Sequence, residues 1–196
     1  ERSVPVLSLR GTGSPVLVRG AVIAGFDNGK LVVLDLKRGQ LAWETSIAVP
    51  HGRSELERMV DIDAPPQLWG ENIYTVTYQG RVAAVDGGSG RVLWARDMSS
   101  AAGLGLDFRN VYVTDDQSNV WALERDNGGS VWKQDKLARR GLTAPVALDD
   151  RIVVADYEGY LHVLSRTDGA LIGRARADGK GVLAPLVVAD DILYVY

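Results

Sequence analysis

Three markers recur in lockstep along this 196-residue chain and restrict its fold more than any other feature. The first is a turn: Asp27-Asn28-Gly29-Lys30, Tyr78-Gln79-Gly80-Arg81, Asp116-Gln117-Ser118-Asn119 and Tyr157-Glu158-Gly159-Tyr160. Its third position falls at 29, 80, 118 and 159, at intervals of 51, 38 and 41. Trp43, Trp94 and Trp132, with Gly173 in the fourth slot, repeat those same intervals. The third marker is Ser14-Pro15-Val16, Ala64-Pro65-Pro66, Ala144-Pro145-Val146 and Ala184-Pro185-Leu186, which open units 14 or 15 residues before the turn where that turn is present. The unit beginning near Gly103 lacks its proline and is the degenerate copy.

Each unit reads as four short strands. In the first they are predicted at 16–18, 21–26, 31–36 and 41–45, separated by Arg19-Gly20, Asp27 to Lys30 and Lys37 to Gln40. β-branched residues dominate the strands, and glycine stands where tight hairpins need positive φ. Asp149-Asp150 and Asp190-Asp191 take the first-turn slot of later units, and with Asp115-Asp116 they read as turn formers. A period near 40 with four strands per unit is the pattern of β-propeller blades. A sandwich would not repeat the same residue types at the same offsets.

The expectation is therefore an all-β propeller of four-stranded antiparallel blades, one domain over 1–196. Blades are placed at about 11–49, 64–98, 99–137 and 141–176, with a partial blade at 181–196 and an inserted loop at 50–63. Four and a half blades cannot close a ring, so these residues are expected to belong to a larger propeller. Blade faces left uncovered would invite self-association.

Composition narrows the function. The chain carries 22 Lys and Arg against 25 Asp and Glu, a formal charge of −3, without the basic excess of a nucleic-acid binder. There is no cysteine, which removes disulfides, thiolate metal sites and thiol catalysis. No apolar run approaches the ~20 residues of a membrane helix, and no signal peptide is legible, so targeting information is expected outside these residues. His51 beside Pro50 and His162 in a strand form no nucleophilic triad. Asp61-Ile62-Asp63 lacks the other oxygen ligands and the glycine of a calcium loop.

Trp43, Trp94 and Trp132 sit in Gly-x-x-x-Trp patterns, as in Gly39 to Trp43 and Gly90 to Trp94. Each indole is expected to dock on a neighbouring blade rather than to form a ligand platform. The interval of 51 exceeds the others because of an insertion from Pro50 to Asp63. Ser54-x-x-Glu57 has capping-box spacing ahead of Met59 and Val60, which predicts a short helical turn on one rim. An insertion that breaks the blade period is where a partner is commonly met.

The segment Leu7-Ser8-Leu9-Arg10-Gly11, the turn Asp27-Asn28-Gly29, the loop Ser54-Glu55-Leu56-Glu57-Arg58 through Asp61-Ile62-Asp63, and Glu158-Gly159-Tyr160-Leu161-His162 together resemble the BamB family. These are propeller lipoproteins of the bacterial outer-membrane β-barrel assembly machinery, and the resemblance runs over essentially the whole chain. It implies an eight-bladed ring on the periplasmic face of the outer membrane, held there by a lipid on an N-terminal cysteine that these residues do not include. It also implies no enzymatic activity, no cofactor and docking on a POTRA domain of BamA.

Position by position, the partner-contacting residues implied are Leu7, Leu9, Arg10, Asp61 and Asp63, with Leu56 and Met59 packing the loop. Leucines would supply an apolar anchor, and Arg10 a fork of donors for a carboxylate at home or across the interface. Unfolded outer-membrane protein clients are a further class of partner that blade edges could take by strand addition. The competing reading is a piece of a pyrroloquinoline-quinone dehydrogenase propeller. Such an enzyme is expected to carry a calcium-binding acidic and amide cluster and a catalytic aspartate, and no plausible calcium set is legible here.

Overall fold

The computed structural model describes residues 13–48, 60–177 and 179–196. Two compact units, Glu1–Ala101 and Ala102–Tyr196, divide the chain, and no helix occurs among the described residues.

The first unit holds two four-stranded antiparallel meanders. One comprises β1 (Val16–Val18), β2 (Ala21–Gly25), β3 (Lys30–Asp35) and β4 (Leu41–Ser46), each boundary within one residue of the sequence expectation. The other comprises β5 (Gln67–Trp69), β6 (Asn72–Val76), β7 (Arg81–Asp86) and β8 (Val92–Asp97). The middle strands are apolar on successive residues, as in Leu31-Val32-Val33 and Val82-Ala83-Ala84-Val85, and all of these are buried. Strands covered on both faces need such runs, whereas half-solvated strands alternate. Ile23, Leu31, Val33, Ile47, Ile62, Ile73, Ala83 and Val85 form one core across the two sheets.

The second unit repeats the scheme. Its complete sheets are β9 (Leu104–Leu106), β10 (Asn110–Thr114), β11 (Val120–Glu124) and β12 (Ser130–Gln134), then β13 (Val146–Leu148), β14 (Arg151–Ala155), β15 (Tyr160–Ser165) and β16 (Leu171–Arg176). A two-stranded sheet follows, β17 (Val187–Ala189) and β18 (Ile192–Tyr194). The first strands β9, β13 and β17 are neighbours, β13 meeting both of the others. That is the hub-side arrangement of propeller blades.

One local device recurs in all four complete sheets. The third and fourth strands slip register by one residue between Val33 and Leu34, Ala84 and Val85, Ala122 and Leu123, and Val163 and Leu164. A β-bulge of this kind increases local twist. The turn beside it closes when the amide of Gly39, Gly90, Gly128 or Gly169 donates to the carbonyl four residues back.

Candidate functional site

The tryptophans explain the Gly-x-x-x-Trp pattern. In the first unit Trp43 on β4 donates its indole N–H to the Gly87 carbonyl at 2.9 Å, and the Thr45 hydroxyl donates to the Gly90 carbonyl. In the second unit Trp132 on β12 donates to the Arg166 carbonyl at 2.9 Å, and Gln134 to the Gly169 carbonyl at 2.7 Å. Gly90 and Gly169 have φ of +74° and +71°, and a Cβ at either would collide with the preceding sheet's indole. Each of these glycines therefore belongs to one pattern while receiving the tryptophan of the pattern before it. Trp94 on β8 is half-buried, its ring 6.3 Å from that of Tyr74.

The end of the insertion is fixed more firmly than its rim position suggests. Val60 pairs with Asn28 in a parallel bridge. The Ile62 amide donates to the Phe26 carbonyl at 3.4 Å, the Gly13 amide to the Ile62 carbonyl at 3.3 Å, and the Tyr78 amide to the Asp61 carbonyl at 2.8 Å. Residues 60–63 are thus stitched to turns of both sheets of the first unit. Ile62 is fully buried against Gly25, where any Cβ would strike the Ile62 side chain.

Val60, Asp61 and Ile62 are all buried, so the anchoring takes a carboxylate inward together with the two apolar side chains. Asp61 is 1% exposed, Asp27 is buried and Asp63 half-buried. One carboxylate oxygen each of Asp27 and Asp61 is buried without a hydrogen-bond partner among the described residues. Burial foremost, then the charges of Asp63 and Asp27, push Asp61 up to about 6. Desolvation disfavours an ionised carboxylate, and like charges add to it. The structure thus brings Asp61 and Asp63 together with Asp27, which sequence reasoning did not single out. Leu7, Leu9, Arg10, Leu56, Met59 and the Ser54–Glu57 capping box lie outside the described residues. Among the described residues no three His, Cys, Asp or Glu side chains are arranged to hold a metal ion.

A second polar cluster was not anticipated. Asp156, fully buried, takes amides of Glu158 and Tyr160 on Oδ1 and Arg140 Nε and His162 Nε2 on Oδ2. Asp115 does the same one sheet earlier, accepting the amides of Gln117 and Asn119 on Oδ1 and Trp121 Nε1 on Oδ2. The available signal was an aspartate three residues before the turn's third position, at 115 and 156.

Meandering four-stranded sheets, with adjacent first strands in the second unit and, in each unit, a last strand locked onto the next sheet by an indole, define a β-propeller, and the anchored segment at 60–63 is its distinguishing feature. A family model described as outer membrane protein assembly factor BamB matches residues 1–134 and 127–196. The outer membrane protein assembly factor BamB of Pseudomonas aeruginosa is 45% identical over 196 residues, covering 100% of this chain and 52% of that protein. The crystal structure of BamB from Moraxella catarrhalis superposes with a TM-score of 0.92 at 30% identity, over 99% of this chain and 58% of that one. The chain belongs to the BamB family, and it spans about half the length of the curated relatives it matches. A quinohemoprotein alcohol dehydrogenase from Comamonas testosteroni shares the fold alone, at 13% identity and a TM-score of 0.67 over 95% of this chain and 39% of that one.

Proposed function

We propose that this chain is part of a non-enzymatic scaffold of the outer-membrane β-barrel assembly machinery, held at the periplasmic face of the outer membrane by a lipid anchor. In this reading eight blades complete the ring, and one rim docks on a POTRA domain of BamA and so supports the folding and insertion of outer-membrane proteins. Leu7, Leu9 and Arg10 would contact the partner. Asp61 and Asp63 would act with them from the base of the inserted loop, Asp61 as a positioning residue because its side chain is buried.

The observation that carries the proposal is the anchoring of residues 60–63 between two blade turns. A loop pinned at its base presents a defined surface and loses less conformational entropy on binding. Family membership supplies the class of partner.

The test is capture of the full-length protein by the periplasmic domains of BamA, comparing wild type with Arg10→Ala and Asp63→Ala. Weakened capture with an unchanged β-rich circular dichroism spectrum is expected. Unchanged capture, or parallel loss of folding and binding, would return these residues to the scaffold.

A further inference from the structure

We infer that a basic pocket on the second unit binds a soluble phosphate monoester as its dianion. The pocket has a volume of about 360 Å³. It is built by the connection after β12, which gives Lys136, Leu137 and Arg140, and by β15 and β16, which give His162, Leu171 and Arg174. Three cationic side chains thus converge on one cavity in a chain whose formal charge is −3. Like charges brought together cost energy unless an anion balances them.

The charge balance gives the ligand its valence. Arg140 is compensated at home, by Asp156 at 2.7 Å and by Glu158. Asp156 is fully buried and fully engaged, Oδ1 taking two amides and Oδ2 taking Arg140 and His162. Lys136 and Arg174 have no carboxylate partner among the described residues, which leaves two positive charges open.

The donors left over give the ligand its shape. Arg174 stands opposite His162 on the ladder, and its guanidinium carbon lies 4.7 Å from the Tyr160 ring centre. That contact occupies the face of the guanidinium and steadies it, whereas the N–H groups lie in its plane and remain for an anion. Arg140 commits one N–H on Nε and one on Nη2, two of the five donors a guanidinium carries. All three cations therefore keep donors for a ligand. A phosphate monoester brings three acceptor oxygens and a double charge, one oxygen for each cation and one charge for each that is uncompensated. A carboxylate or a phosphodiester offers two such oxygens and a single charge, and a sulfate ester three oxygens with a single charge. The volume leaves room beside the phosphate for a small organic group against Leu137 and Leu171.

Isothermal titration of the full-length protein with phenyl phosphate tests this, with phenyl sulfate, benzoate and phosphatidic acid vesicles as the other arms. Saturable binding of the phosphate ester is expected, about tenfold tighter than the sulfate ester and weakening as salt rises because exposed charges are screened. Lys136 and Arg174 are exposed, so Lys136→Ala and Arg174→Gln should each weaken binding about tenfold with an unchanged circular dichroism spectrum. Glu158→Gln removes the carboxylate that competes for Arg140 while Asp156 still holds it. That variant should bind about twofold to fivefold tighter, a gain that a purely structural role for the cluster would not produce. Absence of saturation, equal binding of the sulfate ester or benzoate, binding confined to the vesicles, or unaltered affinity in the Lys136→Ala, Arg174→Gln double variant would overturn the inference. Arg10 and Asp63 lie outside the second unit, so failure of the POTRA reading would leave this assay's result unaffected.

Discussion

His162 Nε2 lies 2.8 Å from Asp156 Oδ2, beneath the turn that joins β14 to β15. The same slot one sheet earlier holds Trp121, whose indole N–H can only donate, 2.8 Å from Asp115 Oδ2. His162 therefore acts as a donor to a turn-capping carboxylate. Burial alone would raise Asp156, but the donors from His162, the Tyr160 amide and Arg140 outweigh it and bring it down to about 2.

That depression fixes a sign. A carboxylate whose folded value lies below its ordinary 3.8 contributes stability that is complete above that value and disappears as pH falls through about 2. Asp156→Asn should cost about 2 kcal/mol near neutral pH, one pKa unit being worth about 1.4. Thermal melts of wild type and variant between pH 6 and 2 should converge toward the acid end, and a constant gap would contradict the assignment.

The tryptophan lock predicts unequal outcomes at equivalent glycines. Gly39 and Gly169 share positive φ, at +65° and +71°, but only Gly169 has an indole over it. Gly39→Ala should cost about 1–2 kcal/mol for the left-handed backbone alone. Gly169→Ala should add overpacking against Trp132, a further cost of about 1–3 kcal/mol. Trp132→Ala should cost about 3–5 kcal/mol, and combining it with Gly169→Ala should cost less than the sum, because the collision is gone. Denaturant unfolding of the single and double variants measures this.

Blade strands were legible because periodic markers depend on local turn chemistry and on burial of both faces of the middle strands. Lys30–Asp35 and Leu41–Ser46 lie where the repeat put them. The pairing of Gly90 with Trp43 was not legible, since it joins residues of successive repeats 47 positions apart. Asp156 is not legible as a cluster centre, because one aspartate before a turn resembles any turn former and its partner Arg140 comes from the preceding connection. The insertion's spacing places Asp61 on a rim surface, but the lack of a Cβ at Gly25 lets Ile62 sink inward. Tyr78 and Phe26 then fix the backbone around it.

Gly25 and Ile62 offer a direct test of that anchoring. Gly25→Ala should force Ile62 out of its site and cost about 1–3 kcal/mol. Ile62→Ala should cost about 2–5 kcal/mol through lost burial and the cavity left behind. If the two side chains share one space, the double variant should be less unstable than the summed singles, and strict additivity would show that they do not compete. Urea midpoints at constant slope supply the values.

Asp61 has the opposite linkage to Asp156. Its folded value of about 6 exceeds the ordinary 3.8, so its contribution is complete below 3.8 and is lost as pH rises through about 6. An elevation of this size corresponds to about 3 kcal/mol of strain when the carboxylate is ionised. Asp61→Asn keeps the shape and removes the charge, so the variant should melt above wild type at pH 7.5 and close to it at pH 4. It should also relieve Asp27 and Asp63 of a neighbouring negative charge. Melting below wild type at pH 7.5 would mean instead that the ionised carboxylate is neutralised by a cation, and that its charge supports the loop base rather than straining it.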